Sequence, residues 1–145
     1  MEQEDAMNIK NDDKKLQFDP IPSRTEEIAK IVLDAAYQVH TALGPGLLES
    51  IYEVCLVHEL RLRKILVKSQ LTLPIIYKGI EVDSSYRLDI LVDDCMIVEI
   101  KSSDMITPVH CAQLFTYLKL TNMRLGLLLN FNVVHLRDGI KRIIN

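Results

Sequence analysis

Two apolar runs of strand character stand side by side in the chain, and each carries a carboxylate in its middle: Tyr-Arg-Leu-Asp89-Ile-Leu-Val and Met-Ile-Val-Glu99-Ile-Lys101. The Asp93-Asp94 pair between them reads as a tight turn, so the two runs are expected to pair as a hairpin. A period of two puts Glu99 and Lys101 on one face, with Val98 and Ile100 on the other. Acidic residues are depleted from strand interiors, and a buried charge must be paired or bind a cation. Taken alone, Glu99 and Lys101 fit an ordinary ion pair on the solvated face of an edge strand. Acids in mid-strand on both neighbours weaken that reading. Two or three carboxylates converging from adjacent elements make an oxygen-rich site for Mg²⁺ or Mn²⁺. Such a cation can polarise a phosphoryl oxygen and acidify water, with a lysine beside it to orient the water or offset charge.

The flanking pattern predicts one mixed α/β layer domain. Ser23 and Glu26 have capping-box spacing, and Ile28, Val32, Ala36, Val39 and Leu43 recur at helical intervals up to Gly44-Pro45-Gly46. A second helix runs from Leu48 to the basic cluster Arg61, Arg63 and Lys64. Strands are expected over Val67–Tyr77, where Pro74 demands an edge or an interruption, over Ile80–Val92, and over Cys95–Lys101. Thr107-Pro108 opens a third helix that reaches Asn122. Leu125 to Phe131 reads as a buried strand. Asp138-Gly139 reads as a last hairpin turn between Val133–Leu136 and Ile140–Ile143. The expected order is α-α-β-β-β-α-β-β.

Charge bears on the choice of partner. The 145 residues hold 17 Lys+Arg and 20 Asp+Glu, a formal net charge of −3, which argues at first sight against a polyanionic ligand. Residues 1–19, however, contain six acids and three bases, so the whole imbalance sits in a polar stretch expected to lack stable order. Residues 1–22 are therefore read as a tail, and 23–145 as a single domain. No apolar segment is long enough for a membrane span, and the acidic N-terminus does not resemble a secretory signal. Cys55, Cys95 and Cys111 are odd in number and lack CxxC spacing, as expected of a reducing, cytoplasmic setting.

These residues together resemble a known set. Asp89, nine residues, then Glu99-Ile100-Lys101 is similar to the signature of the PD-(D/E)xK nuclease superfamily, with Leu88 where the superfamily's name has Pro. A closer likeness is to the GxxExxY family within it, through Gly46-Leu-Leu-Glu49-Ser-Ile-Tyr52. The likeness continues through Gln113-Leu-Phe-Thr-Tyr117, Gly126-Leu-Leu-Leu-Asn-Phe131 and Gly139-Ile-Lys-Arg-Ile. It implies an α-β-β-β-α-β restriction-endonuclease-like core, with an extra N-terminal helix and C-terminal strand. It implies that Asp89, Glu99 and the Ile100 carbonyl bind Mg²⁺ or Mn²⁺, that Glu49 completes the cluster directly or through water, and that Lys101 is catalytic. Gln113 and Tyr117 match the QxxxY helix of RecB-type nucleases and share a helix face. Tyr52 and Arg87 are supporting candidates, the former more readily a packing aromatic and the latter a phosphate contact or a surface charge. The implied activity is metal-dependent hydrolysis of DNA, with RNA as second choice, in a transient encounter. The competing expectations are a catalytically silent nucleic-acid-binding module and a homodimeric assembly module.

Overall fold

The computed structural model describes residues 19–83 and 86–145. Helix α1 (Ser23–Leu43) and helix α2 (Glu49–Leu62) are followed by strands β1 (Val67–Thr72), β2 (Ile75–Tyr77), β3 (Ile80–Val82), β4 (Arg87–Val92) and β5 (Met96–Lys101). Helix α3 (Pro108–Thr121), strand β6 (Leu125–Asn130), a short 3₁₀ turn (Leu136–Gly139) and strand β7 (Ile140–Ile144) complete the chain. Five strands form one sheet in the order β1-β4-β5-β6-β7, and β2-β3 form a separate ribbon. Only β5 and β6 run parallel, because α3 carries the chain back across the sheet between them.

Each face of the sheet packs a different layer. Ile90, Val92, Val98, Ile100, Leu127 and Leu129 join α1 and α2 in one apolar cluster. Leu91, Ile97 and Leu128 join Leu114, Tyr117 and Leu118 of α3 in the other. Strands β5 and β6 are covered on both sides, which is why Leu125–Asn130 is buried along its whole length. Gly126 lies where α3 comes closest, and an added Cβ would stand 2.9 Å from the Leu114 side chain. The α-β-β-β-α-β core is present as α2, β1, β4, β5, α3 and β6, with β2-β3 inserted between its first two strands.

Several local expectations are corrected. Ser23 is the first helical residue rather than the cap. Pro22 holds the cap position, and having no side-chain acceptor it makes no capping bond. Pro74 interrupts the first strand, and the stretch from Ile80 to Val92 divides into β3 and β4. Val133–Leu136 is not a strand. The 3₁₀ turn reverses the chain instead, and β7 pairs directly with β6. Gly139 is tied to that turn, because a Cβ there would fall 2.1 Å from the Asn130 carbonyl oxygen. The edge-strand reading of Glu99 also fails, since β5 is the central strand of the sheet and Glu99 is only 5% exposed. The expected tail falls mainly on residues 1–18, outside the described residues. Ile21 packs against the core, and Arg124 donates to the Asp19 carbonyl at 2.7 Å.

Candidate functional site

The β4-β5 ladder runs from Val92–Met96 through Leu91–Ile97 to Ile90–Val98 and then stops. Continued pairing would set Asp89 opposite Glu99. Instead, the Asp89 carboxylate accepts the Ile100 N–H at 2.8 Å, and the Glu99 carboxylate accepts the Asp89 N–H at 3.2 Å. Side-chain oxygens thus replace main-chain carbonyls, so the amides remain satisfied while the strands separate. The opposite flank of Asp89 opens as well. Ser69 and Leu71 pair with Ile90 and Leu88, but Gln70 between them has φ of 51°, a left-handed conformation unfavourable for a side chain with a Cβ. Strain of this kind persists where surrounding structure imposes it, often at functional sites.

Glu49, Glu53, Gln70, Asp89, Ile100 and Ser102 line the cavity made by this opening, about 530 Å³ in volume. Glu49 is the first residue of α2, and its carboxylate accepts the Ser102 N–H at 3.3 Å. The Ser102 hydroxyl donates to the Leu47 carbonyl at 2.5 Å. Tyr52 explains why this loop holds its shape. Its ring is fully buried, stacked 4.6 Å from Phe131, and its hydroxyl donates to the Gly44 carbonyl at 2.6 Å while accepting the Leu47 N–H at 3.1 Å. The loop of residues 44–47, Glu49 and Tyr52 are therefore linked, the phenol pinning the loop that leads into the acid. The segment after Lys101 is held from the other side by Asn130, which is buried and bonds both the N–H and the carbonyl of Ser103.

Two carboxylates of this site are held above their usual range. Burial, the nearby charge of Asp89 and a side-chain hydrogen bond with Asp89 push Glu99 up to about 9, against a weaker opposing pull from Lys101. Glu53 is also raised, first by burial and then by Asp89 and Glu49, although Gln70 donates to its carboxylate at 2.7 Å. Among the described residues, neither Asp89 nor Glu99 forms an ion pair, and half-buried Lys101 forms none either. Nor, among the described residues, do three or more Asp, Glu, His or Cys side chains gather closely enough to hold a metal ion by themselves. The donor set nevertheless suits a hydrated cation, because Mg²⁺ takes one or two carboxylates and keeps several waters.

The remaining candidates are placed around this centre rather than in it. Gln113 and Tyr117 share a face of α3 and line a second cavity with Leu73, Ile75, Tyr86 and Leu120. Tyr117 lies close enough to Glu99 and Asp89 that their charges, after burial itself, raise its phenol. Arg87 opens β4, is exposed, and takes part in no ion pair among the described residues. Sequence reasoning missed Glu53, Gln70, Ser102 and Asn130. The spacing Glu49-x-x-x-Glu53 was a usable signal, as was the lone polar residue ending Leu-Leu-Leu-Asn130. Gln70 gave none, since its role depends on backbone conformation.

A family model described as PD-(D/E)XK nuclease superfamily matches residues 26–143. No curated protein and no solved structure matches the chain.

Proposed function

Because the chain belongs to the PD-(D/E)XK nuclease superfamily, we propose that it is a divalent-metal-dependent nuclease of that superfamily's GxxExxY branch. Its substrate is DNA before RNA, and residues 23–145 act as one domain. The observation that carries this reading is the pair of half-buried Asp89 and buried Glu99, set where the sheet ladder breaks and, among the described residues, without an ion-pair partner.

Asp89, Glu99 and the Ile100 carbonyl would hold Mg²⁺ or Mn²⁺, with Glu49 reaching it through water. The bound cation supplies Lewis acidity, polarising a phosphoryl oxygen and acidifying water. Lys101 lies within electrostatic reach of Glu99 and has no ion-pair partner among the described residues, so its ammonium is available to orient the attacking water and offset negative charge at the phosphate. Glu49 fixes Ser102, and so the strand end that bears Lys101. Asp89 clamps the Ile100 amide, which sets the direction of the neighbouring carbonyl. Tyr52 acts through the loop it pins rather than on substrate.

Setting Glu49, Asp89, Glu99 and Lys101 aside, the body beyond residue 19 holds 11 acids and 13 bases. Tight sequence-independent binding needs many Lys and Arg phosphate contacts, so a transient, metal-assisted encounter fits better. No helix among the described residues is long and apolar enough to cross a membrane. The three half-buried free cysteines agree with a cytoplasmic setting.

The deciding assay incubates the protein with single-stranded, duplex and branched DNA and RNA in Mg²⁺ or Mn²⁺, with Lys101→Ala as control. Cleavage by the wild type and not the variant is expected. A non-catalytic assembly module is the second reading, favoured by Leu48 at the cap of α2 and Ile51 and Val54 on it, which stand exposed. Binding without products, together with a dimer in equilibrium sedimentation, would replace the first reading with the second.

A further inference from the structure

We propose that the cavity between α3 and the β2-β3 ribbon receives a single unpaired nucleobase of the substrate strand, making this a nuclease for single-stranded or locally opened nucleic acid. The inference rests on the nuclease reading above and adds a substrate class to it.

The cavity holds about 260 Å³, below the roughly 300 Å³ at which pockets begin to admit drug-sized ligands, so it suits one ring system rather than a whole nucleotide. Its walls are of two kinds. Leu73, Ile75 and Leu120 are aliphatic, and Tyr86 and Tyr117 contribute aromatic rings. Stacking on aromatic side chains is the usual way proteins hold bases that no longer stack on one another.

A polar group for the base edge is also present. The half-buried Gln113 side chain lines the cavity, and among the described residues its amide makes no hydrogen bond within the chain. A primary amide presents a donor and an acceptor together, which matches the paired groups along a base edge. Tyr117 then connects the cavity to the reaction centre. Its phenol lies within electrostatic reach of Glu99 and Asp89, and the residue is buried. A base held here would place its own backbone beside the carboxylates. A base inside a duplex is stacked and paired, and extracting it costs a few kcal/mol that an unpaired base does not incur.

The test uses a single-stranded oligonucleotide with 2-aminopurine at its centre, with Ca²⁺ replacing Mg²⁺ so that binding is read without turnover. Wild type should quench the 2-aminopurine emission. Thr116→Met, which narrows the mouth of the cavity from an exposed position on α3, should weaken binding about 10-fold, the scale of one lost base stack. Gln113→Ala should weaken it in the same direction, with a loss that depends on base identity. An abasic residue at the same position should cost wild type about 10-fold, with little further loss in Thr116→Met. In Mg²⁺ or Mn²⁺, the ratio of oligonucleotide cleavage to hydrolysis of bis(4-nitrophenyl) phosphate should fall in both variants, because that diester has no base. Equal binding by wild type and both variants, or an abasic strand bound as tightly as an intact one, would overturn the proposal while leaving a metal-dependent diesterase standing. Loss of quenching in Thr116→Met, in a protein whose wild type hydrolyses neither substrate, would instead uphold the base pocket and remove the nuclease.

Discussion

The β4-β5 hairpin carries acidic residues at both of its ends. At the turn, Asp93 meets Arg24 at 3.0 Å and Asp94 meets Lys68 at 2.9 Å, in contacts largely open to water. At the other end, Asp89 and Glu99 are partly or fully buried, have no ion-pair partner among the described residues, and accept backbone amides. The residue types and the strands are the same, so chemistry alone does not separate the two ends. The difference is whether solvent and cations already satisfy the charge. Where they do, the acids shape a turn. Where they do not, the fold leaves a carboxylate pair that a bound cation would compensate, and this is why we propose the open end as the reaction site.

The largest effect should come from removing charge at the open end. Asp89→Ala and Lys101→Ala are each expected to lower metal-dependent cleavage by about 10³-fold, the scale of losing one electrostatic stabiliser at a reacting phosphate. Asp93→Ala should leave the rate within about twofold, measured in parallel steady-state assays. A matched loss from Asp93→Ala would erase the contrast between the two ends.

Next in size is a dependence on pH. Glu99 is pushed up to about 9 in the fold, against an ordinary carboxylate value of 4.5 in the unfolded chain. Between those values the folded state retains a proton that the unfolded state has released. Stability without metal is therefore full below about pH 4.5 and declines as pH rises towards 9. Glu99→Gln keeps the neutral shape and should flatten the decline, melting roughly 4 °C or more above wild type at pH 8.5 without divalent ions. Added Mg²⁺ should raise the wild-type midpoint at that pH and leave the variant unmoved. Thermal melts at pH 5.5, 7 and 8.5 measure both. A wild type that grows more stable between pH 5.5 and 8.5 without metal would mean that Glu99 is already compensated, as Asp93 is.

How much of this contrast could be read in advance depends on distance along the chain. The hairpin, its turn and the two mid-strand acids are local patterns, legible from alternation and turn chemistry. Thr107-Pro108 was equally legible, and Thr107 does cap α3, accepting the His110 N–H at 3.2 Å. The burial of Glu99 was not legible, because it follows from β6 pairing with β5 across the intervening helix, and no alternation within Met96–Lys101 encodes that. The left-handed Gln70 was hidden for a related reason: its conformation answers to the break at Asp89, nineteen residues away in sequence. Tyr52 shows an intermediate case. Its helix position was readable, while its hydrogen bonds to Gly44 and Leu47 needed the loop's path.

That loop supplies the third effect. Tyr52→Phe keeps the stack on Phe131 and removes only the hydroxyl, leaving the Leu47 amide and Gly44 carbonyl without their partner. The expected cost is about 1–2 kcal/mol in denaturant unfolding. Cleavage should fall more than that stability loss implies, through a looser Glu49, with a larger change in kcat than in KM. Unchanged cleavage would show that Glu49 does not need the pinned loop.

The smallest effect tests the turn. Asp94 has φ of 50° and its pair with Lys68 is about half exposed on both sides. Asp94→Gly removes that pair, which is worth at most about 1 kcal/mol in water. It also relieves a left-handed conformation that glycine adopts freely, while making the unfolded chain more flexible. These contributions are similar in size and opposite in sign, so the midpoint of denaturant unfolding should move by no more than about 0.5 kcal/mol. The comparison is sharpest here, because Asp94 and Asp89 lie on one hairpin, five residues apart in number. A cost well above 1 kcal/mol for Asp94→Gly would mean that the turn sets the register of β4 against β5. The break at Asp89 would then be propagated from the turn rather than held by the two carboxylates that exchange amides there.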